Sequence, residues 1–422
     1  MIFKQITESQ FDEFRNQYKQ KNYWQSVQMA QFRKSNVPSW TDTYVGLEEN
    51  GRLVAASVLE SLPVFGKHKL YMALRGFLID YDDLQTVRLF LQELKKFLAK
   101  NDCLYMKVDP YIAYQPHNPD GTAAQGYKRD ALVNVFEEEG FHHEGFRVGY
   151  DSAFEPRWMQ TLDLEGKTKQ EVFKAMHTNT RQSIRNAERM GVKVKELGRE
   201  ELNILKDLVD LAGKTRHFST IDLPKYERYY DHFGDDFKAC LAYIDLDEYE
   251  NNVKKDREKQ VRTLEKANRE LEKTPDSQKK INRKKEAEYA IAGCDRKLAE
   301  IKEYKDGYGS VLYLAAASFI ITSYEVVYLL SGSNKELNRF AGSFMIQWHM
   351  IQYAIDHGCS RYNFYGISGD FDEAAQDYGV FTFKKSFNAE VQELIGDFTY
   401  IAQPVPFKIY DVLRNIKHKL MH

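Results

Sequence analysis

NNVKKDREKQVRTLEKANRELEKTPDSQKKINRKKEAEYAIAGCDRKLAEIKEYK, from Asn251 to Lys305, decides the architecture. Aromatic and β-branched residues thin out here and Lys, Arg, Glu, Gln and Asn replace them. Apolar residues recur at helical spacing: Val261, Leu264 and Leu271, then Ala287, Ile291, Cys294, Leu298 and Ile301. The second set alternates steps of four and three, a narrow seam of the coiled-coil kind. Between the sets lies Thr274-Pro275-Asp276-Ser277, where Pro stops one helix and Asp or Ser caps the next. The stretch predicts an antiparallel two-helix arm, each limb about 25 residues or roughly 38 Å long. From Asn252 to Lys305 there are 17 Lys+Arg and 11 Asp+Glu, a net +6. The whole chain is −2, so the remainder is −8: a cationic arm on an acidic body. The excess admits two readings, a solvated coiled-coil face or a polyanion-binding surface.

Outside the arm one α/β order occurs twice. Thr43–Leu59 reads as strand, Asn50-Gly51 turn, strand. A strand near Lys69–Arg75, a helix at 84–100 and a strand at Cys103–Val108 follow. The second series is Lys238–Ile244, Ser310–Ile321, Glu325–Ser331, a helix at 340–357 and Arg361–Tyr365. The arm occupies the place of the Asn-Gly turn, so it projects from a hairpin tip without breaking a core. Two related α/β modules are expected. The length of 422 residues suits two or three domains, and 43% hydrophobic with 14% aromatic content excludes general disorder. Cys103, Cys240, Cys294 and Cys359 lie far apart without a C-x-x-C pair, so neither a disulfide framework nor a metal site is expected. The N-terminus has no signal-peptide pattern. Val311–Leu330, with Glu325 its lone charge, reads as two buried strands around Thr322-Ser323-Tyr324-Glu325. A soluble, cytoplasmic chain is expected.

Four motifs carry candidate chemistry. Thr168–Val192 is a helical region with a Thr168/Glu171 capping box and Gly191 as C-cap. Its Lys174, His177, Arg181, Arg185 and Arg189 form one basic side, either solvated or phosphate-facing. Asp109, before Pro110, ends a strand; it either caps a turn or orients an amine at the sheet edge. Arg75-Gly76 ends its strand similarly. Tyr362-Asn363-Phe364-Tyr365-Gly366-Ile367-Ser368-Gly369, followed by Gly379–Phe387 with a loop expected at Phe383–Phe387, surrounds Lys384 with aromatics. That lysine either snorkels from a core edge or sits in a dry pocket, where an ammonium stabilises a developing oxyanion. Finally, Arg339-Phe340-Ala341-Gly342-Ser343-Phe344 half-matches the turn that binds coenzyme A pyrophosphate, with Phe344 where a small residue belongs. G-x-S-x-G, H-E-x-x-H, Walker A and G-x-G-x-x-G motifs are absent.

Together these residues resemble the Fem (FemABX) family of peptidoglycan interpeptide-bridge aminoacyltransferases across essentially the whole chain. The resemblance rests on Trp24-Gln25-Ser26, Leu74-Arg75-Gly76, Val108-Asp109-Pro110-Tyr111, Gln160–Leu164, Thr180-Arg181 to Gly191-Val192, the coiled-coil insert, Phe340–Ser343, Arg361–Gly366 and Phe383-Lys384-Lys385. It implies an α/β (α+β) fold of two acetyltransferase-like (GNAT-like) modules. These would span residues 1–155, and 156–246 with 307–400; the arm would span 247–306 and a C-terminal helix 401–422. It implies transfer of Gly, Ala or Ser from aminoacyl-tRNA, a co-substrate, to an amine of the stem peptide, usually a lysine side chain, with no cofactor. Catalytic residues by resemblance are Lys384, for the transfer step, and Asp109, beside the acceptor amine. Substrate contacts are Lys34 (with Arg33 as substitute) at the acceptor diphosphate, and Arg75, Tyr229, Tyr365 and Phe383. Arg181, Arg185, Lys284 and Lys285 face tRNA. The arginine that some members carry just ahead of the tyrosine has no clear counterpart; Asp222 or Lys225 stands nearby. The implied partners are a lipid-linked or UDP-linked muramoyl-pentapeptide precursor and related aminoacyltransferases. A coenzyme A-dependent N-acyltransferase and a coiled-coil scaffold are the alternatives.

The tail alternates Phe407, Val412, Leu413, Ile416 and Leu420 with Lys408, Arg414, Lys417 and Lys419, a basic amphipathic helix. It is expected to pack on the body, with contact at the inner face of an anionic membrane as the other reading.

Overall fold

The structure, a computed structural model, describes residues 1–150, 155–216 and 218–421, apart from the side chains of 216 and 417–421. The tail's Lys417, Lys419 and Leu420 side chains therefore lie outside the described residues. Two mixed sheets, each of eight strands among the described residues, form the body. In the first, Thr41–Glu49, Arg52–Phe65 and His68–Leu74 run antiparallel, and His68–Leu74 lies parallel to Cys103–Asp109 across the helix Leu84–Lys100. In the second, Phe237–Asp245, Val311–Ile321 and Glu325–Ser333 run antiparallel, and Glu325–Ser333 lies parallel to Arg361–Ile367 across the helix Gly342–Asp356. The repeated order in the sequence is thus a repeated topology.

Local chemistry accounts for these elements. Asn50 and Gly51 both take positive φ (49° and 82°), as the tight hairpin turn requires. Asp83 caps the helix Leu84–Lys100 by accepting from the Thr86 N–H at 3.1 Å. Val87, Phe90, Leu91, Leu94 and Leu98 then share its buried face, spaced to stack on one side.

The arm consists of helices Leu246–Lys273 and Gln278–Tyr308, 28 and 31 residues long. Both limbs exceed the expected length because their base is buried. Leu246, Tyr249, Val253, Cys294 and Ile301 belong to the second core, so the composition shift begins later than the helix does. The Leu246 N–H donates to the Ser310 carbonyl at 2.8 Å and closes the hairpin beneath the arm.

The sheets and the halves of the sequence are not coextensive. Ala113–Gln115, from the first half, pairs with Glu390–Leu394 at the edge of the second sheet. Phe398–Ile401, from the second half, inserts between Cys103–Asp109 and Phe141–His143 of the first. Beside this exchange, His117 Nε2 lies 2.6 Å from Glu393, which Arg157 also engages. All four cysteines are buried and unpaired. Among the described residues, no helix is long and apolar enough to cross a membrane.

Candidate active site

The first sheet supplies a carboxylate and a guanidinium. Strand Cys103–Asp109 ends in Asp109, beside the end of its parallel neighbour. Arg75 follows that neighbour in the left-handed region (φ 52°). This turn aims the Arg75 N–H at Asp109 Oδ1 (2.8 Å) and brings its guanidinium to Oδ2 at 3.1 Å. The same guanidinium donates to the Pro156 carbonyl at 2.8 Å and lies over the Tyr111 ring. Burial pushes Asp109 up to about 7 against the pull of Arg75. Burial opposes the charge on Arg75 too, but Asp109 and then Glu155 outweigh it and raise the guanidinium above its ordinary value.

The second sheet supplies an ammonium. Pairing of Arg361–Ile367 with Trp158–Asp163 slips between Asn363 and Gly366, and Tyr365 stands in that irregularity at φ 65°. Such a bulge frees a backbone group from the ladder and re-aims it. The Tyr365 and Gly366 carbonyls accept from Lys384 Nζ at 3.3 and 2.6 Å. Gly366 is required, because a Cβ there would meet Pro156 at 2.6 Å. Lys384 is 5% exposed, and burial lowers its ammonium to about 7, with Asp377 acting in the opposite sense. Lys384 is therefore buried and does not snorkel into solvent. The loop expected at Phe383–Phe387 begins as the last turn of a helix, Tyr378–Lys385, which carries Lys384, and turns only after Lys385.

A buried network joins the two strand ends. Asn363 accepts from the Tyr365 N–H at 2.8 Å and donates to Tyr111 Oη (2.9 Å) and Glu325 (3.2 Å). Glu325, fully buried, also accepts from Asn22 (3.0 Å), Tyr111 (2.9 Å) and Arg361 (2.7 Å). The Tyr365 hydroxyl donates to Glu155, which also acts on Arg75. Asp109 and Arg75 thus lie at the end of the first sheet, and Tyr365 and Lys384 at the bulge of the second; Pro156, which accepts from Arg75 and closes on Gly366, and Glu155, which engages Tyr365 and acts on Arg75, lie between them. Tyr229 belongs to the same seam: its ring stacks on Phe32 at 4.1 Å, and Glu155 contributes to raising its hydroxyl.

The other candidates lie apart. Phe383 packs on Phe344 and Phe387 at 5.0 and 5.4 Å, as a core-edge side chain. Lys34 is exposed, whereas Arg33 is bound to Glu60 at 2.8 Å and lies over Trp40 at 4.2 Å. The predicted basic helical region is two helices, Lys169–Ala175 and Thr178–Met190. Arg181 bridges the break, donating to the Lys174 and Met176 carbonyls at 2.6 and 2.7 Å, so its first role is as a cap. Arg185 is exposed over Phe173. Lys284 and Lys285 lie on the second limb of the arm.

Sequence reasoning passed over a longer basic row on the first limb. Lys255, Lys259, Arg262, Lys266, Arg269 and Lys273 are all exposed at steps of four and three, and they line shallow grooves with Arg283. Their helical spacing was the available signal. It also passed over Glu325, whose lone charge in an apolar run was read as turn chemistry. The half-matched pyrophosphate turn has a packing explanation: a Cβ on Gly342 would meet Leu314 Cβ at 2.5 Å, and Phe344 fills the core against Phe383. Among the described residues, no three His, Cys, Asp or Glu side chains group as a metal site requires.

A family model described as the FemAB family matches residues 6–415. The aminoacyltransferase FemA of Staphylococcus epidermidis is 35% identical over 419 residues, covering 99% of each chain. That of Staphylococcus aureus is 32% identical over 421 residues, covering 100% of each. The crystal structure of FemX superposes with a TM-score of 0.81 at 22% identity, over 98% of this chain and 99% of that one, a likeness of fold.

Proposed function

Because this chain belongs to the FemAB family and matches aminoacyltransferases from end to end, we propose that it extends the peptidoglycan interpeptide bridge. The aminoacyl donor is Gly, Ala or Ser on tRNA, and the acceptor is an amine of a lipid-linked or UDP-linked precursor stem peptide, usually a lysine side chain. The observation that carries this reading is Lys384, a buried ammonium tethered to two carbonyls of the second sheet's bulge.

An aminoacyl-tRNA ester is already activated, so no covalent nucleophile is required. The acceptor nitrogen attacks the ester carbonyl and a C–N bond forms. The C–O bond to the tRNA ribose breaks, and the amine proton ends on the ribose oxygen. Two N–H groups of Lys384 are held by Tyr365 and Gly366; the third serves the oxyanion, a contribution of roughly a hundredfold or more. Asp109, raised toward neutrality, orients the incoming amine and takes up its proton on the way to the departing ribose oxygen, while Arg75 fixes the carboxylate. Tyr229 and Tyr365 bound the acceptor, exposed Lys34, set apart from them, reaches its distal phosphates, and Phe383 supports the helix of Lys384 from the core edge. The basic row of the first limb, with Lys284, Lys285, Arg181 and Arg185, serves the tRNA backbone, whose phosphates reward accumulated positive charge.

The test is transfer of labelled amino acid, one charged tRNA at a time, to UDP-linked and to lipid-linked lysine-containing precursor. Lys384→Met is expected to lose at least about a hundredfold in rate. Normal turnover in that variant removes Lys384 from the mechanism, and no consumption of any charged tRNA overturns the reading.

A further inference from the structure

Among its described side chains, the terminal helix Pro404–Met421 packs its aromatic residues on the body along one side. Phe407 and Tyr410 pack on Tyr105, with ring centroids 5.1 and 5.8 Å apart, and Phe65 approaches Tyr410 at 6.4 Å. Arg414 pairs with Asp411 at 2.6 Å and lies over Tyr410. Val405, Ile409, Val412, Leu413 and Ile416 fall on the other side, within a strip about 100° wide. Each is at least half exposed. Of the apolar residues expected to pack on the body, Phe407 does so; Val412, Leu413 and Ile416 face outward.

We propose that this strip is an attachment site for an anionic lipid surface. Its side chains are aliphatic throughout, without the Tyr, Trp or Arg anchors and hydrogen-bonding groups that give protein interfaces their energy and register. A hydrocarbon boundary asks for no register. From Val405 to Ile416 the strip is about 17 Å long, well short of the ~30 Å bilayer core, so the helix lies along the surface instead of crossing it. Charge selects the kind of lipid. Lys408 is exposed next to the strip, and the helix sequence carries Lys408, Arg414, Lys417 and Lys419 against the single acid Asp411. The body outside the arm is net −8 and is repelled by anionic lipid, so a local cationic element is needed for approach. A second copy seated on the same strip would instead oppose two cationic tails.

Flotation of the full-length chain, without substrate, with phosphatidylcholine vesicles and with phosphatidylcholine–phosphatidylglycerol vesicles tests this whether or not the aminoacyl-transfer reading stands. Binding to the anionic vesicles is expected, weaker on phosphatidylcholine alone and declining with added salt. Ile409→Asp with Ile416→Asp should lower the bound fraction roughly tenfold or more, and Lys408→Gln about fivefold on anionic vesicles. Both variants should keep wild-type circular dichroism and Tm, since they alter exposed side chains. Failure of wild-type protein to float with either vesicle overturns the proposal, as does equal flotation of the Ile double variant. A concentration-dependent dimer in sedimentation, abolished by that same variant, would assign the strip to self-association.

Discussion

At Lys384, burial and the nearby charge of Asp377 act in opposite senses, and burial prevails. The folded group titrates near 7, against an ordinary value of 10.5. Across that interval the unfolded chain retains a proton that the folded chain has released, so stability from this group rises with pH between about 7 and 10. Below 7 both states are charged and the cost of burying the ammonium is fully present. In urea titrations, wild type should therefore gain stability relative to Lys384→Met as pH rises through this range; a constant difference would show that the lysine does not titrate there. Activity should move the other way. A reaction that uses the ammonium loses rate above about pH 7, and Lys384→Arg, which stays charged, should remove that alkaline limb from the kcat/KM profile. Persistence of the limb in the arginine variant would assign it to another group. Lys384, Asp109 and Arg75 were legible in the sequence because strand ends and flanking aromatics mark them. Glu325 and Asn363 were not, because what distinguishes them is partners such as Asn22 and Tyr111, hundreds of positions away.

Single elements show what spacing reveals and what it conceals. The seam of the arm was legible as steps of four and three, but its lower turns were not, since Leu246, Tyr249 and Val253 are buried like any core residue. Glycines make the same contrast. Gly51 announces itself in the Asn-Gly turn, whereas Gly332 looks unremarkable within a strand. Yet helix Leu202–Arg216 crosses the strand Glu325–Ser333 so closely there that a Cβ on Gly332 would lie 2.1 Å from the Leu208 carbonyl oxygen. Backbone cannot yield as a side-chain tip can, so Gly332→Ala should cost roughly 3 kcal/mol or more. Gly51→Ala has open space and only a positive φ to sustain, and should cost about 1 kcal/mol. Chemical denaturation of the two variants compares them directly; equal losses would mean that helix and strand separate at little cost.

At the scale of the molecule, the duplicated order in the sequence suggests two modules that could be cut apart near residue 155, and the pairing of strands argues against independence. Phe398–Ile401 is an interior strand of the first sheet, hydrogen-bonded on both edges to strands more than 250 positions earlier. Phe398 is fully buried and stacks on Phe136 at 4.4 Å. No local pattern reveals this, because a four-residue strand looks alike whichever sheet receives it. A fragment of residues 1–150 would leave the facing edges of Cys103–Asp109 and Phe141–His143 unpaired, open a hole beside Phe136 and strand Ala113–Gln115 without Glu390–Leu394. The lost strand alone removes a ladder and a core aromatic, whose truncation typically costs about 3–5 kcal/mol, a large part of the stability of a domain this size. The fragment should therefore fail to show a cooperative thermal transition. The same fragment joined through a flexible linker to residues 396–403 should regain one, because the missing strand is then available at high effective concentration. Cooperative unfolding of residues 1–150 alone would show that the exchanged strand decorates the first sheet and does not complete it.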